Sequence, residues 1–187
     1  MGNLESPLLN NDSQQHPLFH GRALFARMLK EAGINVLNIA NNHILEHGNE
    51  GVRQTIETLE RNNILRVGMM HEHKAKITTL TIKGIKIGIA GFCDERICHL
   101  PNPGVYPPLV EQLLVDTLHR MSEQKVHIKI LSLHWGNEYI NMPSMEQRKL
   151  AYHLINQGAD LIIGHHPHVI QPYEQYKNGH ILYSLGN

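Results

Sequence analysis

Cysteine is scarce: Cys93 and Cys98 are the only two in 187 residues. That excludes a disulfide-framework fold, which needs several bridges to stand in for a core. The two could pair or bind metal, but they are read as free thiols beside a loop. An excess of charge of one sign is also missing, because Lys+Arg and Asp+Glu both total 17. A neutral chain lacks the basic footprint of a nucleic-acid binder. No apolar run approaches the roughly 20 residues that a membrane helix needs, and the first residues lack the apolar core of a signal peptide. Internal repeats and low-complexity linkers are absent. The length suits one domain able to bury a core.

Histidine, by contrast, is abundant, with 15 in the chain. Three of them fall in Gly164-His165-His166-Pro167-His168, directly after the apolar run Leu161-Ile162-Ile163. Neutral imidazole is the commonest metal ligand in proteins. A strand end aims side chains in a fixed direction, at the edge where open α/β sheets place their ligands. Two other apolar runs end alike. Val36-Leu37-Asn38-Ile39-Ala40 leads into Asn41-Asn42-His43, and Ile128-Lys129-Ile130-Leu131-Ser132-Leu133 leads into His134-Trp135-Gly136. The pattern predicts one site assembled from three strand ends. His16, His20, His71, His73, His99 and His180 sit in polar surroundings and are read as solvated surface residues.

Between these runs the periodicity alternates. Leu24, Phe25, Met28 and Leu29 repeat at helical spacing, and Gly33 supplies the stop. A second helix is predicted over 50–61, a third around Val110 to Met121, and a fourth opened by the capping-box pair Ser144 and Gln147 and closed by Gly158. Strands are predicted over 36–40, 64–67, 77–82, 85–90, 128–133, 161–163, 169–176 and 181–185. Lys83-Gly84 reads as a hairpin turn, and 92–108 as a long loop. Consecutive strands within the alternation imply a mixed sheet, an α/β sandwich rather than a doubly wound sheet.

Each polar group has an ordinary reading beside the functional one. Asn42 offers an amide oxygen, a hard neutral ligand, but Asn41-Asn42-His43 is also a plain polar loop before a helix cap at Asn49. His134 could be a satisfied histidine at a sheet edge. Glu138 could orient an imidazole from outside the metal or be a surface acid. In an extended geometry His166 and His168 point the same way. Glu5, alone, belongs to a frayed terminus.

Taken together these segments resemble the CapA family, named for the poly-gamma-glutamate capsule biosynthesis protein CapA (also PgsA), within the calcineurin-like metallophosphoesterase superfamily. The resemblance rests on Asn3-Leu4-Glu5-Ser6-Pro7, Ala40-Asn41-Asn42-His43, His134-Trp135-Gly136-Asn137-Glu138-Tyr139, Gly164-His165-His166-Pro167-His168 and Tyr183-Ser184-Leu185-Gly186-Asn187, in the family's order. It implies a four-layer α/β/β/α sandwich, lacking the first strand, as a single domain over 1–187. It also implies metal-assisted phosphoester hydrolysis. Glu5, Asn42, His134, His166 and His168 would be metal ligands, with His165 an alternative to His166, and His43 would donate a proton to the leaving group. Mn, Fe or Zn would suit such ligands.

The family pattern also has an apolar strand ending in Gly-Asp, which would lie upstream of Met1, and it continues past the final Leu-Gly-Asn. The expectation is therefore a domain clipped at both ends. It would hold one tight cation where full-length relatives hold two, and its phosphoesterase activity would be weak or nil. Glu46 stands where Asp is frequent. The expected partners are a phosphoester or polymer-related substrate and components of a membrane complex, with no nucleic acid. The rival expectation is a non-catalytic accessory or scaffold with a degraded metal site.

Overall fold

The computed structural model describes residues 1–10, 18–98 and 105–186. The first part of the chain gives β1 (Gly2–Asn3), α1 (Leu24–Glu31), β2 (Val36–Asn38), α2 (Gly48–Arg61) and β3 (Leu65–Val67). The second gives β4 (Thr78–Ile82), β5 (Ile85–Cys93), α3 (Glu111–Glu123), β6 (Ile128–His134) and α4 (Met145–Asn156). It closes with β7 (Leu161–His165), β8 (Tyr173–Tyr176) and β9 (Gly179–Leu182).

Two sheets result. β1, β2 and β3 form a three-stranded parallel sheet in that order. The other has six strands in the order β8-β9-β7-β6-β5-β4. Its centre is parallel and its two edges are antiparallel. The β4–β5 turn is Lys83-Gly84, both at positive φ (49° and 80°), the backbone that a two-residue hairpin requires.

Strand alternation then sorts side chains into layers. Ala90, Phe92, Leu131, Leu133, Ile162 and Ile181 pack with Leu114, Leu118 and Met121 of α3 and Ala151, Leu154 and Ile155 of α4. Their strand neighbours Ile87, Ile89 and Ile130 point the other way and meet Val36 and Val67 between the sheets. Leu37 turns outward to join Ala26 of α1 with Val52 and Leu59 of α2. The layers run α1/α2, small sheet, large sheet, α3/α4, which is the α/β/β/α sandwich.

The Ser144–Gln147 capping box forms in both directions, with Gln147 N donating to Ser144 Oγ (3.1 Å) and Ser144 N to Gln147 Oε1 (3.0 Å). Some boundaries differ from the sequence reading. α2 begins at Gly48 after His47, so Asn49 lies inside the helix and not at its cap. β5 runs on through Phe92 and Cys93 because β6 continues to pair with it as far as His134. The predicted strand over 169–176 shortens to Tyr173–Tyr176. Tight turns with positive φ at His166 and His168 (99° and 56°) precede it.

One chemical expectation is overturned. Cys93 and Cys98 are not free thiols but a disulfide, with Cα atoms 6.2 Å apart. After β5 the chain coils tightly, Ile97 N and Cys98 N both donating to Asp94 O (3.0 and 2.8 Å), which returns Cys98 to Cys93 in the core. Of the histidines expected at the surface, His71, His73 and His180 are exposed, while His20 is half-buried with its ring edge-on to His47. His16, His99 and Asn187 lie outside the described residues.

Candidate metal centre

The small sheet supplies the first wall. Val36 faces the large sheet and Leu37 the helices, so Asn38 faces the large sheet, fully buried. Its amide donates to Asn3 Oδ1 (3.3 Å) and to Ala40 O (3.2 Å) and accepts from Ala40 N (3.2 Å). A Cβ on Gly91 would stand 2.2 Å from Asn38 Oδ1, so this strand crossing requires glycine. Asn38 thus ties the Asn3-Leu4-Glu5 segment to the Asn41-Asn42-His43 turn. Asn41 reinforces the tie, its Nδ2 donating to Leu4 O (2.8 Å) and its Oδ1 accepting from His43 N (3.1 Å).

The large sheet supplies the second wall. Leu131 and Leu133 face α3 and α4, which leaves Ser132 and His134 facing the small sheet. His165 sits beside His134 in register across β6 and β7. Trp135 locks this corner: its backbone N donates to His165 O (3.0 Å) and its Nε1 to Tyr183 O (3.0 Å). A Cβ on Gly164 would come within 1.9 Å of Tyr183 O and 2.5 Å of Trp135 Nε1. The glycine before the histidine cluster is therefore a packing requirement.

At the meeting point, His134 Nε2 lies 2.9 Å from Asn42 Oδ1 and 3.5 Å from Glu5 Oε1. His168 Nε2 lies 3.4 Å from the same Glu5 oxygen. The His134 and His166 ring centroids are 4.8 Å apart, and those of His166 and His168 5.8 Å. Glu5, His134 and His166 have one ligand atom each within 4.8 Å of one another. The five ligand positions drawn from the resemblance are thus neighbours, with Asn42 and Glu5 in reach of His134, and His168 reaching the group through Glu5 and His166. His165 is in neither ligand group found among the described residues; its buried Nε2 has no partner there. It lines, with Asn3, Glu5 and His166, a cavity of about 290 Å³.

The protonation pattern suits a cation. Both oxygens near His134 Nε2 are acceptors, so that nitrogen carries the proton, while Nδ1 receives the Asn3 amide at 3.5 Å. That proton sits where three donor atoms converge, and a cation would replace it. Burial, then the neighbouring imidazoles, pushes His134 down to about 2, so it stays neutral, as a ligand must. Burial also lowers His166, and takes His165 down to about 4. Burial raises Glu5, against the lowering pull of His168 and His43. Glu5 Oε1 and His166 Nδ1 are buried without any hydrogen-bond partner. Unsatisfied buried polar atoms are costly, and a cation held by Glu5 and His166 would offset that cost.

His43 stands beside this set, not in it. Asn42 Nδ2 donates to His43 Nε2 (3.1 Å), and His43 Nδ1 donates to Glu46 in a very short contact. The other Glu46 oxygen accepts from Phe19 N (2.7 Å).

Three partners were missed as site residues by the sequence reading. Asn3 reaches both Glu5 and His134. Glu46, noted only as a substitution, orients His43. Asn38 had a legible signal: an amide inside an otherwise apolar run must be satisfied by something buried.

Residues 1–187 match the bacterial capsule synthesis protein family, PGA_cap. The chain belongs to that family. The capsule biosynthesis protein CapA of Bacillus anthracis is 33% identical over 200 residues, covering 100% of this chain and 49% of that protein. The PGA biosynthesis protein CapA of Bacillus subtilis (strain 168) is 37% identical over 170 residues, covering 86% and 44%. The chain therefore spans about half the length of these PGA_cap relatives. Among solved structures, the Haemophilus influenzae NAD nucleotidase NadN superposes with a TM-score of 0.56 at 17% identity, covering 79% of this chain and 26% of that one. At that identity the likeness speaks for the fold, which is that of the calcineurin-like metallophosphoesterases.

Proposed function

We propose that this PGA_cap domain carries a metal-dependent phosphoesterase-type site serving poly-gamma-glutamate capsule synthesis. One tightly held divalent cation would be bound by Glu5, Asn42, His134 and His166, with His168 at its edge. The observation that carries this reading is the convergence of Glu5 Oε1, Asn42 Oδ1 and His134 Nε2 on one buried point, two of the pairs at 2.9 and 3.5 Å. Two oxygens and two imidazoles suit Mn, Fe or Zn.

When bound, such a cation polarises a phosphoryl oxygen and lowers the pKa of a water. The chain's own residues do the rest. Asn3 holds Glu5 and His134 in place through its amide. His43 receives the Asn42 amide at Nε2 and presents Nδ1–H to Glu46. As a proton donor His43 would carry the transferable proton at Nε2, in place of the Asn42 N–H contact there, while Glu46 holds the ring through Nδ1. From there the proton passes to a leaving oxygen, which is general-acid catalysis. The substrate would be a phosphoester or a polymer-related analogue of one, presented within a membrane-associated synthesis complex.

The test is elemental analysis of the purified protein, followed by a screen of phosphomonoesters and phosphodiesters with Mn, Fe and Zn. One cation per chain with cation-dependent turnover is the expected result. A bound cation with no turnover of any ester would point instead to an accessory role in the complex. A protein that takes up no cation would refute the metal site itself.

A further inference from the structure

Beside His43 the surface turns apolar. Leu18 and Phe19 are 48% and 61% exposed. A lone exposed apolar side chain needs no explanation. These two, however, line an open cleft of about 670 Å³ together with His20 and Glu46, and the Phe19 ring packs against the His43 ring. We infer that Phe19 and Leu18 form the subsite for the leaving group of the phosphoester, and that this group is bulky and apolar, of the aromatic kind. The inference rests on the reading of the site as a phosphoesterase with His43 as its proton donor.

The position of His43 sets the direction. His43 protonates the leaving oxygen from Nε2, the nitrogen that faces Asn42. That oxygen lies between the cation and the imidazole, so whatever it carries extends away from the cation past the His43 ring. Phe19 flanks that ring, with centroids 5.3 Å apart and planes tilted by 45°. An aromatic face and a leucine side chain open to water there gain by covering apolar surface on a bound group. Glu46 lines the same cleft, and its carboxylate repels an anionic leaving group. Apolar walls with few polar groups are the usual make-up of a small-molecule subsite.

The rim is built and not a frayed loop. Phe19 N donates to Glu46 Oε2 (2.7 Å), on the carboxylate whose other oxygen holds His43. One carboxylate thus sets both the proton donor and the apolar wall. His20 Nδ1 donates to Leu18 O (3.0 Å), and its ring stands edge-on to His47 just before α2, with centroids 5.2 Å apart. Gly21 N then donates to Pro7 O (2.8 Å), which ties the rim to the segment carrying Glu5. A Cβ on Gly21 would stand 2.9 Å from Leu8 Cδ2, so this crossing is close-packed.

The probes are benzylphosphonate and ethylphosphonate, unreactive analogues that share one head group and differ in what they place at the leaving position. Their binding to the full chain loaded with Mn(II) is measured by titration calorimetry, which needs no turnover. Wild type should hold benzylphosphonate at least about 10-fold more tightly, from partial burial of its ring. Phe19→Ala removes the ring and keeps the backbone bond to Glu46. It should weaken benzylphosphonate and bring the two probes to within about 3-fold of each other. Phe19→Tyr should retain the preference, as should Ile82→Ala, a change at an exposed apolar side chain beside the β4–β5 turn. Equal binding of both probes by wild type, or a Phe19→Ala protein that keeps the preference or loses both probes alike, overturns the inference while leaving the phosphoesterase reading intact. Binding of neither probe by the cation-loaded protein overturns that reading, and this inference with it.

Discussion

Replacing His134 by alanine is the sharpest probe of the buried centre. The imidazole is fully buried and in reach of both Asn42 Oδ1 and Glu5 Oε1. Four-ligand protein sites bind zinc with about 10–16 kcal/mol, or roughly 2.5–4 kcal/mol per ligand. With two of the four donors here oxygens, the lower end applies, and the loss should weaken the cation about 100-fold. At free cation 100 times the wild-type Kd, linkage stabilises the wild type by about 2.7 kcal/mol. For a chain of this size that raises Tm by about 5–10 °C. The same concentration only half-saturates His134→Ala, which gains about 0.4 kcal/mol, or roughly 1 °C. Thermal unfolding of each protein with and without cation measures this. Taking the difference within each variant removes the cost of the cavity left by the imidazole. An equal cation-induced shift in His134→Ala and wild type would refute the assignment of His134 as a ligand.

Three further outcomes are expected. His43→Ala should leave the cation-induced shift in place and lower any ester turnover by about 10²- to 10⁴-fold, with Glu46→Gln intermediate; loss of the cation in His43→Ala would show that His43 is a ligand after all. Titration of unreduced, denatured protein with a thiol reagent should find no free thiol, and Cys93→Ser with Cys98→Ser should cost about 2 kcal/mol in denaturant unfolding, from closure of so short a loop; two titratable thiols would contradict the disulfide. Cation-free protein should lose stability on acidification, because His134 and His165, at about 2 and about 4, protonate in the unfolded chain near 6.5 but not in the folded one. Their contribution is complete above pH 6.5 and falls as pH drops, by about 2 kcal/mol each at pH 5. Glu5, shifted upward, works weakly in the opposite sense, and unfolding midpoints that stay flat from pH 8 to pH 5 would show that these imidazoles are not held neutral.

Much of this protein was determined locally. The period-two and helical patterns mark the main strands and helices, because burying one face of a strand or helix is a requirement of each segment by itself. The Ser144–Gln147 cap and the Lys83-Gly84 turn are likewise local geometry. Asn42, His134, His166 and His168 were legible as ligand candidates because each follows an apolar run, and a strand that must be buried delivers its next residue to the sheet edge. Other features waited for the fold. Cys93 and Cys98 pair only because β5 extends to Cys93 against β6 and the chain then coils back over Asp94. Glu5 becomes a ligand candidate, not a frayed acid, because Asn38 and Asn41 tether its segment across the small sheet. Glu138 comes within reach of His166 and His168 where one backbone bond joins Tyr139 to Pro167. These three depend on which strands lie side by side, and that is decided by the packing of two sheets against each other, a property no single segment carries.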